Sequence, residues 1–152
     1  MRRLASALTG AGLGIGDTVS VIAANTPEMF EAHFGVPMAG CVLNTINTRL
    51  EAETISYILE NSDCRVLIVD TAFAPAVVPA LESLPADVRK NIRVVDIRDA
   101  AMGDLAPVGD EDYESFIGAG DPDYDWQMPA DEWQALALGY TSGTVSYTHL
   151  TL

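Results

Sequence analysis

Short runs of branched apolar residues alternate along this chain with segments whose apolar residues recur at helical spacing. The runs are 18–23, 66–69 and 92–97, and intervening helical segments include 50–61 and 73–84. Such segments allow parallel strands, because parallel neighbours need a crossover connection between them. Val66–Val69 is apolar throughout, which is typical of a strand covered on both faces. The sequence therefore predicts an α/β fold, part of a doubly wound, mainly parallel sheet with helices on both faces.

The first half of the chain carries clear signals for the start and end of a helix. A helix is predicted to begin at Thr26-Pro27, where a capping hydroxyl precedes a proline suited to the first turn. Pro37 should kink or shorten this helix, and Gly40 should end it. A short strand and a polar loop, Asn44–Arg49, are expected to follow. The side chains expected to face the core from this helix are Met29, Phe30, Phe34 and Met38.

The stretch Trp133–Thr144 joins an apolar run, Ala135–Leu138, to small hydroxyl residues around a glycine. It predicts a buried strand and then a loop at the carboxyl end of that strand, where open α/β sheets bind ligands. Glycine lets backbone N–H groups approach an anion closely, and each hydroxyl can donate to a phosphate oxygen. On the tetrapeptide alone, a polar turn after a strand is the favoured interpretation. The candidate phosphate-binding residues are Thr141, Ser142, Gly143 and Thr144.

Tyr140-Thr141-Ser142-Gly143-Thr144 resembles the first half of the nucleotide-binding signature of the adenylate-forming acyl-CoA synthetases. Further short motifs stand in the order and spacing seen in this AMP-dependent synthetase/ligase family. Two stretches look most like the branch acting on short-chain, medium-chain and sulfur-containing fatty acids, which includes 3-methylmercaptopropionate-CoA ligase. The family motifs are Gly16–Val19, Asn25–Glu28, Ala39–Val42, Asn47–Leu50 and Leu67–Asp70, and the branch motifs are Asn44–Leu50 and Asp131–Trp133.

The resemblance implies part of the large N-terminal domain of a two-step ligase that uses ATP, Mg²⁺ and coenzyme A. A small-molecule carboxylic acid would attack the α-phosphate of ATP, giving an acyl-adenylate and pyrophosphate. The thiol of coenzyme A would then displace AMP. Thr141, Ser142, Gly143 and Thr144 would hold the outer phosphates. No acyl-pocket residue is identified, so the acid that is activated stays open.

After Thr144 the family signature continues Thr-Gly-x-Pro-Lys-Gly, whereas this chain continues differently. Val145–Leu152 matches the translation of a transposase mosaic end and the sequencing adapter that follows it. We hypothesise that these residues are read-through from library preparation, and we exclude them from fold prediction. The predicted organisation is a partial synthetase/ligase N-terminal domain over 1–144 and an adapter-derived tail over 145–152. A chain cut at both ends is expected to have no ligase activity by itself.

The formal net charge of −14 is unevenly distributed, since 12 of the 22 acidic residues lie between Asp96 and Glu132 with one basic residue, Arg98. We interpret this segment as a solvated connection. Such a surface repels nucleic acid and anionic membranes, so neither is an expected partner. No apolar run approaches the length of a membrane-spanning helix. Cys41 and Cys64 lack a partner motif such as C-x-x-C, so we interpret both as small hydrophobic residues of the core. Free cysteines of this kind favour a reducing, cytoplasmic setting.

Two other patterns favour a structural interpretation over a functional one. Four acidic residues match the first, third, fifth and twelfth positions of an EF-hand calcium loop, but Trp126 stands where the turn needs glycine. His33 lies near Phe30 and Phe34 on a predicted helix, without a catalytic or metal-binding partner at a suitable spacing. The acidic residues of the pattern, interpreted as a solvated loop, are Asp121, Asp123, Asp125 and Glu132.

Two further classes of function stay open. A non-catalytic nucleotide-binding module would suit a doubly wound sheet, although Ala23-Ala24-Asn25 follows the first strand where such modules carry G-x-G-x-x-G. A structural or interaction domain would expose apolar surface to a partner. Nucleotide protection in a thermal-shift assay would separate these two classes.

Overall fold

The computed structural model describes residues 1–99, 103 and 105–141, and this part of the chain forms a single parallel sheet between two layers of helices. The strands are β1 Thr18–Ile22, β2 Val42–Thr45, β3 Cys64–Asp70, β4 Arg93–Ile97, β5 Glu111–Asp112 and β6 Ala137–Leu138. The helices are α1 Arg2–Gly10, α2 Pro27–Met38, α3 Ala52–Asn61, α4 Ala74–Ser83, α5 Ala86–Arg89 and α6 Tyr113–Gly118, with a 3-10 turn at Thr71–Phe73 before α4.

The strands lie in the order β5-β4-β3-β1-β2-β6, and every neighbouring pair is parallel. Helices α1, α2 and α6 cover one face of the sheet, and α3 and α4 cover the other. Successive residues of β1 serve the two faces in turn, because Val21 packs into the first core and Ile22 into the second. The predicted doubly wound α/β fold is confirmed. None of the helices in the described residues has the length and hydropathy that a membrane span requires.

Helix α2 begins where its sequence predicts. The Thr26 hydroxyl accepts a hydrogen bond from the Met29 backbone N–H at 3.4 Å, and Pro27 occupies the first turn. The helix continues through Pro37 for one residue and ends at Met38. Gly40 then adopts a φ of +78°, a left-handed conformation that turns the chain into β2 at little cost for glycine.

The prediction of which side chains of α2 face the core is correct for Met29, which packs against it, and wrong for Phe30 and Phe34. Phe30 and Phe34 are 59% and 48% exposed, whereas Ala32, Gly35 and Val36 face the core. Helix α1 crosses this face so closely that a Cβ on Gly35 would lie 2.8 Å from Leu4 Cδ2. Only small side chains fit at the crossing, so the phenylalanines point away. Apolar residues surround most of the helix, and for that reason their spacing does not single out the inner face.

Four short segments also differ from prediction. Asn44 and Thr45 extend β2 into the predicted loop Asn44–Arg49, and Asn44 is fully buried. The predicted buried strand Ala135–Leu138 is reduced to β6, in which Ala137 is exposed and Leu138 half-buried. This strand is at the edge of the sheet beside β2, where one side has no neighbouring strand among the described residues. The short elements α5 and β5 were not predicted.

Asp96 also departs from the predicted solvated connection, because it is fully buried in β4. Its Oδ1 accepts from the Gly109 N–H at 3.0 Å and its Oδ2 from the Val108 N–H at 3.1 Å. Burial raises the pKa of Asp96, although these two hydrogen bonds oppose the shift. These hydrogen bonds hold Val108 and Gly109 beside β4, just before β5 begins at Glu111.

Adding bulk at Gly35 should destabilise the protein. We expect Gly35→Val to lower the free energy of unfolding by about 1–3 kcal/mol, because the new side chain meets the fully buried Leu4. Gly118→Val is the matched control, since a Cβ at Gly118, the last residue of α6, has open space around it. That control should stay within about 0.5 kcal/mol of the parent in urea unfolding. Equal effects of the two substitutions would contradict the close α1–α2 crossing.

Both cysteines should resist modification in the folded protein. Burial raises the pKa of Cys64 to about 11, and burial followed by the charge of Asp17 raises that of Cys41 to about 11. Since the thiolate is the reactive form, we expect neither thiol to react with iodoacetamide at pH 8 until denaturant is added. Mass spectrometry counts the added groups. Rapid labelling of the native protein at either position would show that its thiol is not in the core.

Candidate functional site

Parallel strands place their carboxyl ends along one edge of the sheet, and this edge holds Thr141, the first residue of the predicted ligand loop. The connection after β1 packs on one face as α2, and the connection after β3 packs on the other as α4, so the winding changes direction between β1 and β3. Ligands of open α/β sheets bind in the crevice at such a point. Asn25, Thr26 and Thr71 follow the two strands there. Thr141 follows β6 at the same edge, and β2 separates β6 from β1.

Of the predicted phosphate-binding residues, Thr141 lies within the described chain and is exposed. Ser142, Gly143 and Thr144 lie outside the described residues, as does the predicted tail Val145–Leu152. Exposure at the carboxyl-end edge suits Thr141 for contact with a ligand, since its hydroxyl is both a donor and an acceptor.

Strand β6, which leads to Thr141, has few backbone attachments. It pairs with β2 at two positions, Leu43 with Ala137 and Asn44 with Leu138. The Leu43 N–H also donates to the Leu136 carbonyl at 3.0 Å. These contacts end three residues before Thr141, so the last part of the approach depends on side chains.

Tyr140 supplies a side-chain attachment for this approach that the sequence did not reveal. Its hydroxyl donates to Asn61 Oδ1 at 2.8 Å, and its ring meets the Tyr57 ring edge-on with the centroids 6.5 Å apart. Desolvation, with a smaller contribution from Tyr57, raises the pKa of Tyr140. The hydroxyl therefore remains a donor to higher pH than an ordinary phenol. Tyr140 stands two residues after Leu138, a spacing that puts two side chains on the same face of an extended chain, and this was the available signal.

A buried polar group spans the central strands beneath this edge. Asn44 Nδ2 donates to Ser20 Oγ at 3.1 Å, and both residues are completely buried. Asn44 Oδ1 has no hydrogen-bond partner among the described residues. Cys64 on the other side of β1 donates to the Val66 carbonyl at 3.2 Å. Buried polar atoms are normally paired with one another. The Asn44–Ser20 bond pairs Asn44 Nδ2 with Ser20 Oγ and joins β2 to β1 within the core.

A shallow apolar groove lies along the exposed side of α2, beside Phe30 and Phe34. Its volume is about 440 Å³, and the Phe30 and Phe34 rings lie 5.2 Å apart. His33 Nδ1 donates to the Met29 carbonyl at 2.7 Å, which leaves Nε2 as the unprotonated nitrogen of the neutral ring. The lining residues are Asn25, Thr26, Met29, Phe30, His33 and Phe34.

The acidic loop before β6 is hydrogen-bonded to α1. The Asp121 N–H donates to Ser6 Oγ at 3.0 Å, and Arg2 donates to the Tyr124 carbonyl at 3.1 Å. Asp121 Oδ1 accepts from the N–H of Asp123, and Asp125 accepts from Gln127 Nε2. The described residues contain no group of three or more His, Cys, Asp or Glu that could hold a metal ion.

Comparison with known proteins identifies the family. The sequence model described as "AMP-binding enzyme" matches residues 1–146. This chain belongs to the AMP-binding enzyme family. The predicted resemblance to the adenylate-forming acyl-CoA synthetases is thereby confirmed, and with it the assignment to a family of acid–thiol ligases.

Curated relatives of this AMP-binding chain carry the names of CoA ligases. A peroxisomal acetate/butyrate-CoA ligase of Arabidopsis thaliana, AAE7, is 43% identical over 95% of this chain and 27% of its own length. An acetate-CoA ligase of Humulus lupulus, CCL3, is 41% identical over 95% of this chain and 27% of its own length. The chain therefore spans about a quarter of the length of these relatives.

Solved structures of this family share the fold. The N-terminal domain of FACL13 from Mycobacterium tuberculosis superposes with a TM-score of 0.70 at 26% identity, covering 96% of this chain and 33% of that domain. An acyl-CoA synthetase from Brucella canis has a TM-score of 0.75 at 22% identity, covering 95% of this chain and 24% of its own. At that identity the second likeness shows the fold alone.

One substitution in the buried Asn44–Ser20 pair should destabilise the protein, whereas substituting both residues should restore most of the lost stability. Ser20→Ala removes the partner of the Asn44 amide, and we expect it to cost about 1–3 kcal/mol of unfolding free energy. The double variant Ser20→Ala with Asn44→Leu removes both polar groups and should recover most of this loss. Urea unfolding of the variants measures the difference. A double variant less stable than Ser20→Ala would contradict the buried Asn44–Ser20 bond.

Proposed function

We propose that this chain is part of a longer ATP-dependent acyl-CoA ligase, in which it supplies the segment that holds the outer phosphates of ATP. The observation that carries the proposal is the position of Thr141 at the carboxyl-end edge of a parallel sheet, within a chain that matches the AMP-binding family over residues 1–146. The names of the relatives, acetate/butyrate-CoA ligase and acetate-CoA ligase, support a short-chain carboxylic acid as the substrate. A medium-chain or methylthio acid is the alternative within the same reaction.

The reaction places a heavy demand on charge neutralisation. A carboxylate attacks the α-phosphate in line, which forms an acyl-adenylate and releases pyrophosphate. The thiol of coenzyme A then displaces AMP and forms the thioester. Phosphoryl chemistry of this kind is accelerated by positioning and by donors directed at the phosphate oxygens. Thr141, Ser142, Gly143 and Thr144 would provide hydroxyl and backbone N–H donors for this purpose.

The exposed hydroxyl oxygen of Thr141 fits a magnesium ion that binds together with the nucleotide. Mg²⁺ keeps several waters and is often bound by substrate phosphates with one or two protein oxygens, so a protein cage of carboxylates is not required. Thr141 presents an exposed hydroxyl oxygen at the appropriate edge. When bound with ATP, the ion would neutralise phosphate charge, and this chain would orient the phosphates beside it.

The isolated chain should lack ligase activity, because it spans only about a quarter of its relatives. We therefore expect no acyl-CoA when the purified chain is incubated with ATP, Mg²⁺, coenzyme A and either acetate or butyrate. Chromatography of the products measures acyl-CoA directly. Acyl-CoA above the level in the protein-free blank would show that this chain alone is sufficient for catalysis.

Activity in the longer protein can be tested with a chimera. Residues 1–141 of this chain would replace the matching segment of the Arabidopsis acetate/butyrate-CoA ligase, which keeps its own sequence after that point. We expect the chimera to make acetyl-CoA or butyryl-CoA. Thr141→Val should lower kcat/KM for ATP by about 10- to 100-fold through the loss of a hydrogen bond to a charged group.

Thr54→Val is the control for this chimera, since Thr54 is an exposed threonine on α3. It should leave kcat/KM for ATP unchanged. A folded but inactive chimera would argue against the ligase proposal, and equal effects of Thr54→Val and Thr141→Val would argue against a phosphate-binding role for Thr141.

A non-catalytic interaction module is the second candidate, and it is favoured by the exposed apolar residues. Ile15 is 79% exposed, Met128 73% and Trp133 94%. Surfaces of this type often contact another protein or domain. An ATP-dependent rise in the melting temperature of the chain would favour nucleotide binding, whereas an unchanged melting temperature would favour either the interaction module or a broken phosphate loop.

We further propose a cytoplasmic location and a domain boundary at Thr144, with Val145–Leu152 as an adapter-derived tail. The two buried free thiols support a reducing compartment. One relative is named as peroxisomal, so the peroxisome is the alternative compartment. The match to the family ends at residue 146, which supports a boundary close to Thr144.

A further inference from the structure

Tyr140 immediately precedes Thr141, and two contacts hold its side chain on α3. Its hydroxyl donates to Asn61 Oδ1 at 2.8 Å. Its ring meets the Tyr57 ring at an interplanar angle of 82°, with the centroids 6.5 Å apart, which is a favourable edge-on arrangement. The same ring packs against the apolar core on the α3–α4 face of the sheet.

The backbone alone provides little restraint at this point. The pairing of β6 with β2 ends at Asn44 and Leu138, and Gly139 then contributes no side chain. Glycine has more conformational freedom than any other residue, so an unanchored chain would leave the sheet in many directions. The Tyr140 contacts therefore provide the last restraint before Thr141 that the described residues show.

We propose that Tyr140, bonded to Asn61 and packed against Tyr57, is a positioning residue that fixes Thr141 at the edge of the sheet. The inference rests on the proposed function, because that function assigns the phosphates to the segment beginning at Thr141. Side chains alternate between the faces of an extended chain, so an inward Tyr140 directs Thr141 outward. A segment that is ordered before its ligand arrives loses less conformational freedom on binding.

The restraint can be measured without any ligand. We expect ¹⁵N relaxation of the full 152-residue chain to give an order parameter for the Thr141 amide of about 0.8 or more, as for a rigid backbone. Tyr140→Phe and Asn61→Leu should each lower it to about 0.6 or less, and the double variant should lower it no further. An unchanged order parameter in Tyr140→Phe would overturn the proposal.

Two controls separate this bond from general effects of substitution. Asn61→Asp keeps an acceptor oxygen for the Tyr140 hydroxyl, so it should retain the order of the parent. Tyr124→Phe removes another tyrosine hydroxyl, which contacts Thr9 Oγ1 at 3.1 Å, and it should leave Thr141 unaffected. Loss of order in Tyr124→Phe as well would indicate a global effect and contradict the specific role of Tyr140.

The functional consequence is tested in the chimera of residues 1–141 with the Arabidopsis ligase, by titrating it with ATP and Mg²⁺ in a calorimeter. We expect saturable binding by the parent chimera, and a dissociation constant about 2- to 12-fold higher in its Tyr140→Phe variant, as for the loss of one hydrogen bond. A dissociation constant unchanged in Tyr140→Phe would overturn the positioning role. If the parent chimera does not bind ATP, the proposed phosphate role of Thr141 fails, while the relaxation measurement still decides whether Tyr140 orders Thr141.

Discussion

Burial of β1 on both faces is the constraint on which the rest of this structure depends. Val19, Ser20 and Val21 are completely inaccessible, with β3 on one side and β2 on the other. A strand enclosed in this way must satisfy its backbone through parallel ladders and must have helices above and below it. That requirement places α2 on one face and α3 on the other. It also brings the carboxyl ends of the strands, and Thr141 after β6, to a single edge.

The distribution of polar groups follows from the same enclosure. Ser20 is a polar residue on the buried strand, and Asn44, its direct register partner on β2, donates a hydrogen bond to its hydroxyl. Asp96 performs a related function farther along the sheet, where its carboxylate accepts two backbone N–H groups of the returning chain. These buried groups fix neighbouring segments relative to one another, while the acidic residues of the loop before β6 remain exposed. The edge that carries Thr141 is thus supported by the buried sheet and by the contacts of Tyr140 with Asn61 and Tyr57 of α3.

Local chemistry made part of this arrangement predictable. Branched residues identified the central strands, and Thr26-Pro27 identified the start of α2, because both signals act within a few residues of the chain. The inner face of α2 depends instead on the approach of Leu4 to Gly35, which is a contact between helices that the sequence pattern of one helix does not contain. Asn44 was assigned to a loop because polar residues usually occupy loops. The role of Tyr140 requires the position of Asn61 on a distant segment, so the motif around Thr141 could be predicted but its support could not.

We propose that this chain is the phosphate-binding part of a longer CoA ligase of the AMP-binding family. The most direct measurement is to amplify the source locus with primers that carry no adapter and to sequence both strands past the codon for Thr144. We expect the reading frame to continue Thr-Gly-x-Pro-Lys-Gly into a long downstream region. A genomic frame that encodes Val145–Leu152 and then stops would contradict it, because the phosphate loop would then lack its second half and its lysine.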